Sequence, residues 1–222
     1  MDSIAQNAAG SADDQPYTFD YNPASQITER AGANTDWDWL PDVYGTKNYT
    51  VNGLNQYLTA AGATPTYDAN GNMTAYAGDT YTYDPSNRLK TAKAGTNATV
   101  SFLYDPSGRL YKTTGTTGTR FRYDGADMIA EYSDTGALTK RYVHGPGVDE
   151  PLVWYEGAGT GTKKWLGADP RGSIAAVTDG AGAIEQINTY SPYGMGGASN
   201  VGRFQFTGQM VIKDDGLNLY YF

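Results

Sequence analysis

His144 is the only histidine in the 222 residues, and it sits in "YVHGPG". A Ser-His-Asp triad would have to use it as the base. No Gly-x-Ser-x-Gly elbow accompanies it, and its Gly-Pro-Gly neighbours suit a turn equally well. "GAGTGTKK", Gly157 to Lys164, has the glycines and lysines of a phosphate loop without the Gly-x4-Gly-Lys-Ser/Thr spacing. It reads as a flexible hairpin tip. Asp36, Asp38 and Asp42 in "DWDWLPD" could offer oxygens to Ca²⁺, yet the mid-loop Gly and closing Glu of a calcium loop are missing. Neither a metal nor a cofactor is expected. Acid–base hydrolysis of a glycoside needs a pair of carboxylates. Asp and Glu are scattered along the chain, mostly at turn starts, where Asp has a structural task. A carboxylate-based hydrolase therefore remains an alternative without a motif. Trp37, Trp39 and Trp154 stand beside Asp, Asn or Tyr and are the candidates for stacking against a sugar.

Catalytic residues need to occur once, whereas this chain repeats itself. "YDPSNRL" at Tyr83 returns as "YDPSGRL" at Tyr104. Aromatic-led units start at Tyr21, Tyr49, Tyr67, Tyr83, Tyr104, Tyr123, Tyr142, Trp165 and Tyr190. From Tyr49 onward the spacings are 18, 16, 21, 19, 19, 23 and 25 residues. Such a period marks a repeated structural unit. In Asp105-Pro106-Ser107-Gly108 the Asp can hold its own backbone, Pro presets φ, and Gly takes the left-handed position that closes the turn. Asp68-Ala69-Asn70-Gly71 and Asp134-Thr135-Gly136 read likewise. Phe19/Tyr21, Tyr81/Tyr83, Phe102/Tyr104 and Phe121/Tyr123 are i,i+2 pairs, which share one face of a strand. Only Ile184 to Ile187 and a few Ala-rich stretches suggest helix. The expected fold is all-β: consecutive antiparallel hairpins in one long curled or spiralling sheet, with an aromatic ladder on one face.

Composition agrees. Gly numbers 28 and Tyr 19, for many turns and half-buried rings. The net charge of -8 repels a phosphate backbone, so no nucleic-acid partner is expected. The chain has no Cys, which removes disulfides, thiol catalysis and thiolate metal sites. No apolar run reaches the roughly 18 to 20 residues of a membrane span. "MDSIAQNAAG" does not read as a secretory signal. The chain stays inside, leaves by another route, or belongs to a longer protein. The sequons at Asn48, Asn72 and Asn97 read as incidental.

The motifs "YDANGNM", "YDPSNRL" and "YDPSGRL" resemble YD repeats, also called RHS (rearrangement hotspot) repeats. Their marks here are Tyr67, Asp68, Gly71, Tyr83, Asp84, Arg88, Tyr104, Asp105, Gly108, Arg109, Tyr123 and Asp124. "DPRGSIAAVTDGAGAI" resembles the start of the RHS repeat-associated core, followed in family order by "YSPYG", "RFQFTGQ" and "DGLNLYYF". The core marks are Asp169, Gly172, Ser173, Tyr190, Gly194, Phe206, Gly208, Gln209, Tyr220 and Tyr221. The resemblance covers roughly Pro16 to Phe222 and strengthens after Tyr67.

Residues 1–15, polar and Ala/Gly-rich, read as a segment disordered unless paired, and the resemblance implies 16–164 as YD repeats and 165–222 as a partial core. It implies a hollow β shell like those of bacterial Rhs and Tc toxins, enclosing a toxin and secreted or held at the cell surface. Expected partners are the remainder of the shell or a second chain, an enclosed toxin domain and, alternatively, a glycan. The family's Ala-Arg-Tyr-Tyr segment and its self-cleaving Asp-Pro phrases have no counterpart before Phe222. Architecture is therefore expected, and protease activity is not. Nine hairpins make roughly 85 Å of sheet at about 4.8 Å per strand. Closed as one ring, that is roughly 27 Å across, narrower than a folded 100-residue toxin with its radius of gyration of about 13 Å. This segment alone is too small to enclose one.

Overall fold

The computed structural model describes residues 3–10, 12–40 and 45–222. Three strands come first: β1 (Ser3–Gln6), β2 (Gln15–Tyr21) and β3 (Ile27–Gly32). A separate hairpin follows, β4 (Tyr49–Val51) and β5 (Tyr57–Ala60). Then come β6 (Thr66–Tyr67), β7 (Met73–Tyr76), β8 (Asp79–Tyr83), β9 (Leu89–Lys93), β10 (Val100–Tyr104), β11 (Leu110–Thr114) and β12 (Gly118–Asp124). The run continues through β13 (Asp127–Ser133), β14 (Leu138–His144), β15 (Pro151–Glu156), β16 (Lys163–Ala168), β17 (Ile174–Thr178) and β18 (Ile184–Ile187). Two short strands, β19 (Met210–Ile212) and β20 (Leu219–Tyr221), end the described elements.

Strands β6 to β18 form a single 13-stranded antiparallel sheet in strict chain order. It is an open strip rather than a closed barrel. The single sheet expected from the sequence is broken before it: β1–β3 and β4–β5 are sheets of their own, and β19–β20 is another. The segment expected to be disordered unless paired is the paired case, since Ser3 to Gln6 lie opposite Thr18 to Gln15.

One hairpin design explains the strip. The Asp105 carboxylate accepts from the N–H groups of Ser107 (2.9 Å) and Arg109 (3.0 Å). Gly108 N donates to Asp105 O at 2.9 Å, with Gly108 at φ 84. This is a type I turn closed by a left-handed residue. Asp68, Asp84, Asp169 and Asp179 grip their turns through the same two N–H groups. Asn22 and Asn52 do so with an amide oxygen. Asp124 differs: it faces Asp127 across a two-residue Gly125-Ala126 turn.

Each return strand then carries one extra residue. Leu103 pairs with Lys112 but Tyr104 pairs with Leu110, so Tyr111 is bulged. Lys90, Ile129, Leu152, Ala175 and Glu185 are bulged in the same way. A bulge replaces the alternation of a strand by an i,i+3 step across it. Leu110 and Thr113, Met128 and Glu131, and Ile174 and Val177 therefore share a face, all 3% exposed or less. The helix-like spacing of Ile184 and Ile187 comes from this bulge; the segment is a strand.

Phe19 and Tyr21 belong to the separate β1–β3 sheet, where Tyr21 is exposed, whereas the aromatic pairs of the main strip lie toward that same covered face. Phe102 and Phe121 are buried there, with Tyr81, Tyr104 and Tyr123 packed against the cluster. The intervening Thr82, Leu103 and Arg122 are exposed. Residues Phe204, Met210, Ile212 and Leu217 of the C-terminal segment join this core, so the segment lies across the sheet. On the opposite, open face, Trp37 packs against Ala175 and Ala176.

Two turn substitutions test the design by chemical denaturation. Gly108→Val should destabilise by about 1–3 kcal/mol, because a β-branched residue is strained at positive φ. Ala77 and Gly78 form a two-residue turn at φ 52 and 99. Ala77→Asn should stabilise by roughly 1 kcal/mol, since Asn tolerates the left-handed region that Ala resists.

Candidate functional site

The covered face and the segment crossing it form the most elaborate region of the molecule. Three tyrosines lock successive hairpins to the one before. The hydroxyl of Tyr83 donates to Met73 O at 2.9 Å, Tyr104 to Leu89 O at 2.8 Å, and Tyr123 to Leu110 O at 2.9 Å. The acceptor is always the first residue after the preceding turn. Burial pushes the Tyr104 hydroxyl up to about 12, and that of Tyr123 further, so both remain donors at any ordinary pH. Tyr67 inverts the bond and accepts from Tyr57 N. Arg88 and Arg109 each pair with the Asp of their own turn at 2.7 Å. Each also lies over the next tyrosine, Arg88 at 4.7 Å from the Tyr104 ring and Arg109 at 5.0 Å from that of Tyr123.

The core marks converge. Ser173 Oγ accepts from Thr207 N at 3.0 Å, and Asp169 grips both its own turn and the Arg171 guanidinium. Arg30 approaches the same carboxylate at 3.8 Å, which ties β3 to this corner. The Tyr190 hydroxyl donates to Ile174 O, and its ring meets Phe206, which in turn meets Tyr220. The Gly194 turn lies under Phe206, leaving no room for a side chain. Gly208 passes so near Asp149 O that a Cβ would stand 2.0 Å from it. Gln209 Nε2 donates to Asp149 Oδ2 at 2.5 Å, and the Tyr221 hydroxyl accepts from Leu110 N at 2.9 Å.

One buried ion pair, absent from the sequence reading, anchors the crossing segment. Arg203 Nε and Nη2 reach the two Glu131 oxygens at 3.0 and 2.8 Å, and Nη1 donates to Val211 O at 2.8 Å. The Tyr142 hydroxyl donates to Glu131 Oε1 at 2.5 Å. Glu131 is 2% exposed. Burial pushes its carboxyl up, but the charge and hydrogen bonds of Arg203, with Lys140 and Tyr142, hold it below the ordinary value. Arg203 is shifted upward: burial works against its charge, and Glu131 outweighs burial. The only sequence signal was a Glu in the i,i+3 position after a bulge, which looks like a solvent position if the strand is read with period two.

The catalytic candidates do not assemble. A cleft of about 530 Å³ holds Ser107, Asp127 and His144 beside Tyr221 and Phe222. His144 Nε2, the atom a triad would turn to the serine, lies 3.0 Å from Met128 O instead. Asp127 is 4.0 Å from Nδ1. Asp36 and Asp38 flank Trp37 on and just after a single 3₁₀ turn, and Asp42 lies outside the described residues. Among the described residues no three His, Cys, Asp or Glu side chains gather to hold a metal. Two of the three proposed sugar-stacking rings are corrected: Trp37 is 8% exposed and Trp154 7%, both enclosed by packing. Trp39 is half-buried.

Glu131→Gln should destabilise by about 3–5 kcal/mol, because Arg203 then keeps a buried charge without its partner. Replacing the set together, as Glu131→Leu with Arg203→Met and Tyr142→Phe, should recover most of the loss. The pH dependence has a definite sign. A carboxyl held below its unfolded value of about 4.3 stabilises above that pH and loses the contribution as pH falls through its folded value. The gap between wild type and Glu131→Gln in thermal midpoint should therefore be full at neutral pH and close below about pH 4.

No family model matches the chain. It is 26% identical over 187 residues to the tRNA3(Ser)-specific nuclease WapA of Bacillus spizizenii, covering 79% of this chain and 8% of that protein. It is 27% identical over 187 residues to the tRNA nuclease WapA of Bacillus subtilis, again covering 79% of this chain and 8% of the relative. The chain thus spans less than a tenth of these relatives. Among solved structures it superimposes on the Photorhabdus luminescens Tc holotoxin pore with a TM-score of 0.56 at 14% identity, covering 93% of this chain and 15% of that one. The TcdB2-TccC3-Cdc42 crystal structure gives 0.54 at 13% identity, covering 92% and 15%. The fold, an open strip of antiparallel hairpins, is one shared with Tc toxin subunits.

Proposed function

We propose that the chain is a non-enzymatic structural segment of an RHS-type β shell that encloses a toxin and helps deliver it. The observation that carries this reading is the 13-stranded strip of like hairpins, added in chain order. Its Asp residues are spent on turns: Asp68, Asp84, Asp105 and Asp169 each hold two backbone N–H groups. The nuclease named for the relatives belongs to proteins more than ten times longer than the matched region. In this reading the catalytic part lies elsewhere in such a protein, and the repeats serve as its container. The partners are then the rest of the shell or a second chain, together with the enclosed toxin, and the setting is outside the cell or at its surface.

The ends of the strip fit a role as part of a larger wall. Among the described residues β20 is paired only with β19, and β6 and β18 are the two edges of the main sheet. Unpaired edges recruit further strands.

Two measurements test the proposal. Mass photometry or ultracentrifugation of the 222-residue chain at micromolar concentration should show self-association or capture of adjoining shell strands. Electron microscopy of the full gene product should show these hairpins in the wall of a hollow particle whose interior domain resists protease. A strict monomer, joined to domains that protease reaches freely, refutes the shell.

A further inference from the structure

The cleft of about 530 Å³ that holds His144 has no part in the shell reading. It lies at one end of the strip, between the turns that follow β10, β12 and β14 and the C-terminal segment. Its charges are one-sided. Asp127 and Asp149 stand in the wall, and among the described residues neither has a lysine or arginine within ion-pair distance. Arg109 is in the wall too, but its guanidinium is already engaged: Nε and Nη2 hold Asp105, and Nη1 donates to Gly125 O. An orphaned atom lies beside the carboxylates. The His144 side chain is 7% exposed. Its Nε2 is 3.0 Å from Met128 O and so carries the ring proton, because a carbonyl only accepts. Nδ1 then presents a lone pair, has no hydrogen-bond partner, and faces Asp127 Oδ1 at 4.0 Å. Two acceptors so placed repel each other unless a donor is set between them.

We propose that this cleft binds a guanidinium group, with Asp127, Asp149 and the His144 Nδ1 as acceptors and the Tyr221 and Phe222 rings as its walls. The protein's own arginines select that chemistry. Arg30, Arg88, Arg109, Arg171 and Arg203 each lie over a tyrosine or phenylalanine ring and beside a carboxylate. The cleft offers the same pairing of carboxylate and ring with no arginine free to fill it. The lysines that meet rings do otherwise. Lys140, Lys163 and Lys164 lie over tryptophan, and the described wall has no tryptophan. A guanidinium is planar and weakly hydrated, and its five N–H donors form a fixed fork, so it stacks on a ring and serves several acceptors at once. An ammonium is a compact, strongly hydrated point charge. An anion would meet two carboxylates, and a neutral ligand would leave both without a counter-charge.

The site goes beyond the shell role and does not depend on it. The test is a ligand-observed NMR titration of the 222-residue chain. It is run at about pH 8, where imidazoles are neutral and no proton on Nδ1 competes. The probes are ethylguanidine and the blocked tripeptide acetyl-Gly-Arg-Gly-amide. The lysine tripeptide and the neutral citrulline tripeptide are the counter-probes. Both guanidinium probes should saturate at a Kd on the order of millimolar or tighter. A tripeptide tighter than ethylguanidine assigns the group to a polypeptide arginine, and parity assigns it to a free small guanidine. Asp127→Asn and Asp149→Asn should each weaken binding about five- to tenfold, since hydrogen bonds to an ionised acceptor are about twice as strong as neutral ones. Glu29→Gln removes the same charge from an exposed position on β3 and should leave binding unchanged. All three variants should melt within a few degrees of wild type, because an amide keeps the size and one acceptor oxygen of the carboxyl it replaces. Absence of guanidinium binding overturns the proposal. So does equal binding of the lysine or citrulline tripeptide, full affinity in a folded double variant of Asp127→Asn and Asp149→Asn, or an equal loss in Glu29→Gln. A chain that assembles into a shell and ignores guanidinium removes the site and leaves the shell reading intact. A strict monomer that binds guanidinium does the reverse.

Discussion

The grip of one side-chain oxygen on two backbone N–H groups is the interaction on which this molecule rests. A reversing chain exposes N–H groups with no partner in either strand. Asp, or Asn in two early hairpins, satisfies a pair of them and fixes the turn in one conformation. Asp84 shows the effect on the carboxyl: the backbone and side chain of Arg88 hold it below its ordinary value. The turn sets the register, and the register sets which residues face the core. A one-residue slip would move an entire strand's apolar set to the other face. The bulge that follows each Asp turn of the strip bends it and increases its local twist. A long series of such hairpins is then a curved wall by construction.

Local rules extend the wall, but the covered face needs a non-local one. A repeat array contacts only its neighbours, and a sheet with one apolar face must bury it against another layer. Here the layer is the chain's own C-terminal segment. Its anchor is a buried Arg203–Glu131 pair, separated by 72 residues. Such a pair contributes little net stability relative to apolar packing, yet it is severely costly to break. It therefore acts mainly on position, since only one placement of the segment satisfies both charges. Arg203 also lies over the Phe121 ring at 5.4 Å, so the anchor and the aromatic row meet at one point.

Much of the wall was legible from the sequence because its causes are local. Tyr-Asp-Pro-Ser-Gly carries its own turn chemistry, and Phe102/Tyr104 their own face. What was hidden has distant causes. Nothing near Glu131 announces that Arg203 will cover it. Nothing near Trp154 announces that Lys140 and Lys164 will lie over its ring, at 5.0 and 5.3 Å. The bulge had a local signature that period-two reasoning discards, namely apolar residues three apart after each Asp turn. The break of the single expected sheet at β4–β5 has a similar source. Strand β5 ends in Ala60, which bridges to Ala63 and turns the chain there.

The tyrosine bonds give the wall a direction in time as well as in space. The hydroxyls of Tyr83, Tyr104 and Tyr123 each complete the hairpin before their own, so those three hairpins are finished only once their successors have formed. On a ribosome, which releases the amino end first, the newest hairpin is always the unsatisfied one. Growth would advance as a moving front with a single raw margin, while everything behind it is already closed. Tyr221 ends that sequence differently. Its hydroxyl turns back across 111 residues to the N–H of Leu110. Strand β20 thus returns to a hairpin made long before it, and it settles only on a wall that already stands.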